Sequence, residues 1–356
     1  MELIPYKYFY YPAILYGFIV VICLQSYWNR MSFSLRLVIY LSLISVYILG
    51  MSRSKGVDHG TYRANFDGLV KNIYDPGYVM ITDFLNFLNI PFELALVLFG
   101  LISVISIFKI SRYFNVYFFP LFFIYFAHLF VGTDFSQLRT GLAVSIATFA
   151  FVSNAKFRYP LYFLAGSIHL TVLSFILIAE YARFIVTTRS SLIRSIGIII
   201  CVIGLFLVGK YLYLFSFLDE RIDIYVKGFY STYEGYGAPV HSYIQPLFHT
   251  AILVPFLLFR RFLEKDSKLD MLILIQLFGI STFFAFSDNG IFAYRLTSTI
   301  LCLYPVLILY SYNMIANQVN LVKRRKTLLF SALIIALLPI LVFRPGAFRV
   351  INSMLI

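Results

Sequence analysis

The chain has 356 residues, of which 61% are hydrophobic and only 13% are charged, and its mean hydropathy is +0.85. Soluble domains carry about 25% charged residues, so this composition excludes a soluble globular protein and indicates a polytopic membrane protein. The 29 Lys and Arg residues outnumber the 16 Asp and Glu residues. These basic residues fall in short clusters between apolar runs, as membrane topology requires, so they do not indicate a nucleic-acid partner.

The amino-terminal stretch "MELIPYKYFYYPAILYGFIVVICL" has no clear basic n-region and no small-residue cleavage site. We expect it to be a retained first transmembrane helix rather than a signal peptide. Cys23, Cys201 and Cys302 are scattered among apolar runs. Their spacing predicts neither a disulfide framework nor a metal site.

Apolar runs follow one another along the chain, and a helix needs about 20 residues to cross a bilayer. The runs lie at residues 10–27, 35–51, 92–110, 116–131, 138–152, 159–179, 192–214, 244–262, 269–286, 291–314 and 327–343. They predict an all-α fold, a polytopic helical bundle that forms a single membrane domain over residues 1–356. We expect about 10–12 transmembrane helices from runs of this length.

Basic loops lie on the cytoplasmic side of membrane proteins. We therefore expect the segments "NRMSFSLR", "KISRYF", "RRFLEKDSK" and "KRRK" in the cytoplasm, which leaves the loops at residues 52–91 and 215–243 outside. Residues 159–195 are ambiguous, because basic segments flank the one apolar run there. Either this region holds a re-entrant hairpin, or Arg183, Arg189 and Arg194 lie along the outer surface.

The two outer loops have different compositions. The first contains "DHGTYRANFDGLVKNIYDPGYVMITDFLNFL", which predicts one or two amphipathic helices on the membrane surface, broken by a turn at "DPG". The second is rich in Tyr and Gly, which suits either sugar contacts or an interfacial aromatic belt. Its "DERID" stretch groups three carboxylates around Arg221, which favours a solvated loop over a metal site.

Arg139 stands at the head of the apolar run "LRTGLAVSIATFAF". A charged residue at the bilayer centre costs about 2.5–3.5 kcal/mol on insertion scales. Ala143, Ala147 and Ala150 follow on the same helical face, and a stripe of small residues marks a close helix–helix contact. We therefore predict that Arg139 points into the bundle.

Two further arginines are predicted near the same outer side. Arg295 is followed on its helical face by Ser298, Thr299 and Cys302, and Arg63 lies in the first outer loop. Any one arginine could snorkel to the interface or pair with a buried carboxylate. Three arginines on one side, with few intramembrane carboxylates to pair with them, favour the binding of an anion. A lipid phosphate or diphosphate is such an anion, and the guanidinium fork binds it bidentately.

His169 follows Ala165 and Gly166 by about one helical turn in "AGSIHLTVL", so we expect it to face a neighbouring helix. It is either a catalytic base or a histidine satisfied between packed helices.

Three landmarks stand in a particular order along residues 58–300. The first is "DHGTYRANF" followed by "DPGYVMITDFLNFLNIPFE", the second is "FSQLRTGLAVSIATFAF" with "AKFRYPLYFLAGSIHLTVL" behind it, and the third is "IFAYRLTSTI". Each is short, but their order and spacing resemble the EpsG-like branch of the Wzy-type polysaccharide polymerases.

This resemblance implies a multi-pass glycosyltransferase of the bacterial inner membrane that acts in O-antigen or exopolysaccharide biosynthesis, including that of lipopolysaccharide. Such an enzyme joins undecaprenyl-diphosphate-linked oligosaccharide repeat units on the periplasmic face, and this lipid-linked oligosaccharide is both donor and acceptor. No metal and no cofactor are expected, because the diphosphate is a good leaving group once its charge is met. The partners are membrane lipid and a separate chain-length regulator protein.

The reaction needs a group that removes the proton of the attacking hydroxyl and groups that bind the diphosphate. His169 is the expected base, with Asp58 and His241 as alternatives. The predicted substrate-binding residues are Arg139, Arg295, Arg63, Tyr78 and His241.

Other functions predict other features. An O-antigen ligase is expected to have a large outer loop, and residues 215–243 are short for that. A flippase or transporter should show pseudo-symmetric halves with broken helices, and the sequence shows no internal repeat. A membrane O-acyltransferase should carry an early intramembrane histidine, which is missing here.

Overall fold

The computed structural model describes residues 59–69, 75–125, 137–188, 190–211, 239–260, 266–287 and 290–318, with scattered positions between 31 and 45. Throughout this part of the chain the regular secondary structure is helical, and no strand occurs in it. Four helical stretches here are long and apolar enough to cross a membrane, namely Phe92–Phe114, Ser191–Lys210, Ser267–Ala285 and Arg295–Ile315. The predicted all-α, polytopic membrane fold is confirmed.

The described residues fall into two compact units, Met1–Leu170 with Ile308–Ile356, and Thr171–Leu307. The first unit contains α1 (His59–Phe66), α2 (Pro76–Phe87), α3 (Phe92–Phe114), α4 (Phe118–Tyr125), α5 (Leu138–Phe151) and α6 (Ala155–Ile168). The second contains α7 (Val172–Thr187), α8 (Ser191–Lys210), α9 (Pro239–Phe259), α10 (Ser267–Ala285) and α11 (Gly290–Ile300). A 3₁₀ turn (Leu301–Leu303) then leads into α12 (Tyr304–Gln318), within which the chain returns to the first unit. The single-domain description stays a prediction.

Two buried hydroxyl pairs join α3 and α5. Ser103 Oγ lies 2.8 Å from Ser145 Oγ, and Ser106 Oγ lies 2.8 Å from Thr148 Oγ1. Small residues and hydroxyl groups are typical of close helix contacts in membranes. Because both members of the second pair come three residues after those of the first, the two helices run parallel. Helix α4 runs in the opposite direction, because Phe118 at its start packs on Phe108 of α3 and the Tyr125 hydroxyl at its end lies 3.4 Å from Ser145 Oγ.

Basic residues gather where α5 ends. Lys109 Nζ donates to Ser153 Oγ at 2.7 Å, and Arg158 Nη2 donates to the carbonyl oxygen of Ser153 at 2.8 Å. Lys109 belongs to the predicted cytoplasmic segment "KISRYF" and Arg158 to "NAKFRY". The first unit therefore collects these two basic segments near the end of α5, and the last residue of α5 is about 18 Å from Arg139 at the rise of a regular helix.

The predicted span at residues 159–179 is wrong, because two helices replace it. Helix α6 ends at Ile168, His169 is extended (φ −155°, ψ 115°), and α7 begins at Val172. Thr171 precedes α7 with a helical backbone (φ −61°, ψ −22°), and its side chain makes no capping hydrogen bond. The two alternatives for residues 159–195, a re-entrant hairpin and arginines along the outer surface, both stay predictions.

The described part of the first outer loop contains two helices, α1 and α2, as predicted. The predicted turn at "DPG" is wrong, because Asp75 is the N-cap of α2 and Pro76 and Gly77 belong to its first turn. The start of α2 is set by Pro76 in its first turn, since proline has a helical φ and no N–H to leave unsatisfied. Asn86 Nδ2 donates to the carbonyl oxygen of Phe66 and joins α2 to α1. The location of these helices on the membrane surface stays a prediction.

In the second unit α10 packs against α7, α8, α9 and α11. His249 of α9 and Gln276 of α10 form a buried pair, with His249 Nδ1 2.8 Å from Gln276 Nε2. Helix α8 has no buried residue along its 20 residues. Because α8 is as apolar as a membrane span, its exposed side chains suit a lipid environment.

Candidate functional site

A buried carboxylate, Asp75, joins two of the predicted site residues. Its side chain is 3% exposed, and its Oδ2 atom lies 3.2 Å from Arg139 Nη1 and 3.2 Å from His169 Nδ1. A buried carboxylate is costly unless charged or hydrogen-bonding groups compensate it. The arginine and the histidine meet this need, and all three residues belong to the first unit.

Asp75 occupies the N-cap position of α2, with an extended backbone (φ −64°, ψ 143°). An aspartate there ordinarily accepts a hydrogen bond from an N–H of the first turn. The side chain of Asp75 makes no such bond, whereas its backbone carbonyl accepts from the N–H groups of Tyr78 and Val79. The carboxylate is directed to Arg139 and His169 instead of to its own helix.

Close packing of α2 on α6 brings Asp75 to His169. A Cβ atom on Gly77 would lie 2.7 Å from the carbonyl carbon of Ser167, nearer than real Cβ atoms approach. Gly77 therefore lets the first turn of α2 touch the last turn of α6. Asp75 precedes this contact by two residues and His169 follows it by two, so the contact sets the distance between them.

His169 lies at the end of α6 rather than within a helix. Its N–H still donates to the carbonyl oxygen of Ala165 at 3.1 Å, and the chain is extended from this residue. The side chain is 12% exposed. We assign the ring proton to Nδ1, because an ionised carboxylate such as Asp75 only accepts hydrogen bonds. This tautomer leaves the lone pair on Nε2.

Arg139 is the second residue of α5, and its side chain is 18% exposed. The small residues that follow it on the same face, Ala143, Ala147 and Ala150, are fully buried. The prediction that Arg139 points into the bundle is confirmed. Its contact with Asp75 is the buried-carboxylate pairing that was the alternative to anion binding.

Arg63 and Tyr78 lie outside this three-residue cluster. The Arg63 side chain is exposed and pairs with Glu93 Oε1 at 3.1 Å and more loosely with Asp67. Tyr78 is fully buried and packs edge to face against Tyr62. Substrate binding by either residue stays a prediction.

Arg295 belongs to α11 of the second unit. Of the residues predicted to share its polar face, Thr299 in α11 and Cys302 in the following 3₁₀ turn are buried. His241 lies near the start of α9, and its side chain is outside the described part of the chain. Asp58 is also outside the described residues.

The EpsG family model matches residues 35–346, well over half of the chain. The chain belongs to the EpsG family. No curated protein and no solved structure matches it. Family membership supports a role like that of a polysaccharide polymerase, and it confirms the resemblance drawn from the sequence landmarks. The match includes Asp75, Arg139 and His169.

Asp75 is the residue of this EpsG family member that sequence reasoning missed as a site residue. The "DPG" stretch was interpreted only as a turn, because Asp before Pro is common in turns. One signal was available, since a carboxylate between two apolar segments of a membrane protein needs a positively charged partner. Arg139, which needed a negatively charged one, could have been matched with it.

Metal ligation has no candidate in the described ranges of the chain. No group of three or more His, Cys, Asp or Glu residues lies close enough there to hold a metal ion. The expectation that this EpsG family member needs no metal or cofactor stays a prediction.

Proposed function

We propose that the chain is a glycosyltransferase that polymerises undecaprenyl-diphosphate-linked oligosaccharide repeat units on the periplasmic face of the inner membrane. The observation that carries the proposal is Asp75 Oδ2 at 3.2 Å from both His169 Nδ1 and Arg139 Nη1. It unites a candidate base, a group that orients it and a permanent positive charge.

In this mechanism His169 is the general base. Asp75 accepts the Nδ1 proton and holds the imidazole in the tautomer whose Nε2 lone pair takes the proton of the attacking sugar hydroxyl. The hydroxyl oxygen forms a bond to the anomeric carbon of the growing chain. The bond between that carbon and the diphosphate oxygen breaks, and undecaprenyl diphosphate leaves with the electron pair.

Arg139 has two roles in the proposal. Its charge compensates buried Asp75, which keeps the carboxylate able to orient His169. It also adds positive charge beside the reacting groups, where negative charge develops on the leaving diphosphate. Within the first unit, Arg63 and Tyr78 are proposed to contact the substrate, and Asp58 is the alternative base. Substrate binding by Arg295 and His241 of the second unit stays a prediction.

The position of the cluster along α5 supports a periplasmic site. Arg139 stands at one end of this helix, and Lys109 and Arg158 meet around Ser153 at the other. Basic segments mark the cytoplasmic side. The opposite end, with Asp75 and His169, is therefore proposed to face the periplasm, where the lipid-linked units are joined.

Deletion in the native strain tests the function. On a gel, a polymerase deletion leaves the lipopolysaccharide core with a single repeat unit. Wild-type protein restores the ladder of longer chains. Deletion of a ligase or a flippase leaves the lipopolysaccharide core without any repeat unit, so a core without repeat units contradicts the proposal. A ladder built in vitro by the purified full chain from lipid-linked repeat units alone would exclude an indirect effect.

A further inference from the structure

The second unit contains a cavity of about 300 Å³ at one end of its helices. It lies between the last turns of α7 and α9 and the first turns of α8 and α10. Its polar lining consists of Ser191, Arg194, Ser195, Arg260 and Asp270. The helix ends that surround it lead into residues 188–190 and 261–266, which include part of the basic segment "RRFLEKDSK". The positive-inside rule places this end in the cytoplasm.

The cavity lining favours an anion. Arg194 Nε is buried and has no hydrogen-bond partner among the residues that the structure describes. Arg260 Nε donates to Asp270 Oδ1 at 2.6 Å, so the carboxylate found among the described lining residues is already engaged by an arginine. Two guanidinium groups against one carboxylate give the lining a net positive charge.

The amino terminus of α8 adds to this field. Ser190 caps the helix by accepting from the N–H of Ile193, and the next residue, Ser191, lines the cavity. Helix amino termini carry partial positive charge and recurrently bind phosphate groups. Two hydroxyl groups, from Ser191 and Ser195, stand beside the arginines as further donors.

The remainder of the lining is apolar and includes Ile198 and Leu257, the latter 48% exposed. Beside it α8 exposes Leu192 and Ile196 on a helix with no buried residue. A volume of about 300 Å³ suits a headgroup and is at the low end for a ligand pocket, too small for an oligosaccharide. A charged pocket that continues into a lipid-exposed apolar helix fits an amphiphile better than a soluble phosphate.

We propose that this cavity binds the phosphate headgroup of an anionic lipid of the cytoplasmic leaflet, with the first part of an acyl chain along α8. Basic pockets between transmembrane helices on the cytoplasmic side are known to take such headgroups. The cavity lies within the second unit alone, so the proposal does not depend on the polymerase reaction.

The test uses the purified full chain in phosphatidylcholine nanodiscs, titrated with dioleoylphosphatidylglycerol and followed by native mass spectrometry. We expect saturable binding of phosphatidylglycerol to the wild-type protein, at least tenfold weaker binding to Arg194→Gln, and unchanged binding to Arg183→Gln. Arg183 is the matched control, because it pairs with Glu180 and does not line the cavity. Equal binding by wild type and Arg194→Gln overturns the proposal.

Two further arms complete the experiment. Inorganic phosphate that displaces phosphatidylglycerol at comparable concentrations would show a soluble phosphate site and overturn the lipid assignment. If Arg194→Gln does not elute as a monodisperse protein, Ile198→Trp replaces it, because the indole fills the cavity and leaves both arginines in place. Ile198→Trp is expected to lose phosphatidylglycerol binding, and retention of binding would refute the site.

Discussion

Nδ1 of His169 lies 3.2 Å from Oδ2 of Asp75, although 94 positions separate the two residues in the sequence. The contact forms because α6 ends just before His169 and α2 begins just after Asp75, with Gly77 packed on Ser167 between them. A histidine held by a buried carboxylate has a defined tautomer, which is the property that a general base needs. Substitutions of these residues separate this role from a purely structural one.

Replacement of Asp75 distinguishes a helix cap from an orienting carboxylate. Serine and asparagine cap helices about as well as aspartate, so a capping residue would tolerate Asp75→Ser and Asp75→Asn. We expect both variants to lower the initial rate of chain extension on the order of 100-fold or more. Amide and hydroxyl groups can donate as well as accept, so they no longer fix the His169 tautomer, and they lack the negative charge that stabilises the protonated imidazole. The rate is measured in vitro at matched protein levels. A full-rate Asp75→Ser protein would reduce Asp75 to a cap.

His169→Ala is expected to abolish chain extension while the protein still inserts and accumulates. His169→Gln should be nearly as inactive, because its amide can still donate to Asp75 but has no basic nitrogen. Both proteins are compared with wild type by membrane yield and by the repeat ladder. Substantial activity in His169→Gln would assign proton removal to another residue, with Asp58 as the first to be replaced next.

Arg139→Lys is expected to fail nearly as badly as Arg139→Ala. Lysine keeps the charge but lacks the planar fork that can hold Asp75 and a phosphate in one geometry. Losing such a contact should cost about 2–4 kcal/mol of transition-state stabilisation, on the order of 30- to 1000-fold in rate.

Arg183→Lys is the control for Arg139→Lys. Arg183 pairs with Glu180 three residues earlier on the same helix, and a partly exposed pair of this kind contributes little. Its ladder should match that of wild type. A full ladder from Arg139→Lys would mean that Arg139 serves membrane insertion or topology and not the reaction.

Gly77→Ala tests the packing that joins the site. The added methyl group would meet the backbone of Ser167, so α2 must shift away from α6 and separate Asp75 from His169. Overpacking of this kind costs about 1–3 kcal/mol, and we expect a clear loss of chain extension with the protein still present in the membrane. Gly60→Ala is the control, since a Cβ there meets nothing within 4 Å.

Thiol labelling tests the sidedness of the site, in a background with the three native cysteines replaced by serine. Asp67→Cys, at an exposed position after α1, should react with an impermeant reagent in intact spheroplasts, and Lys156→Cys, exposed at the start of α6, only after lysis. The reverse pattern would place Asp75 and His169 on the cytoplasmic side.

Composition and hydropathy were enough to predict the class of the protein and several of its long helices. Long apolar runs predicted α3, α5, α8 and α10 to within a few residues, because a membrane span must satisfy its backbone hydrogen bonds internally and helices do so. The alanine stripe after Arg139 also predicted the direction of that side chain, since helical periodicity decides which residues share a face.

The partners of Arg139 and His169 became known from the packing of the helices, because both side chains contact a residue far away in the sequence. No glycine or proline interrupts "SIHLTVL". The sequence therefore predicts one continuous span through His169, whereas the helix ends at Ile168. Asp75 was visible only as a turn residue, because a contact between residues so far apart in the chain has no local signal. Its carboxylate became a site residue through the close approach of α2 and α6 at Gly77, and a packing distance of that kind is a property of two helices together.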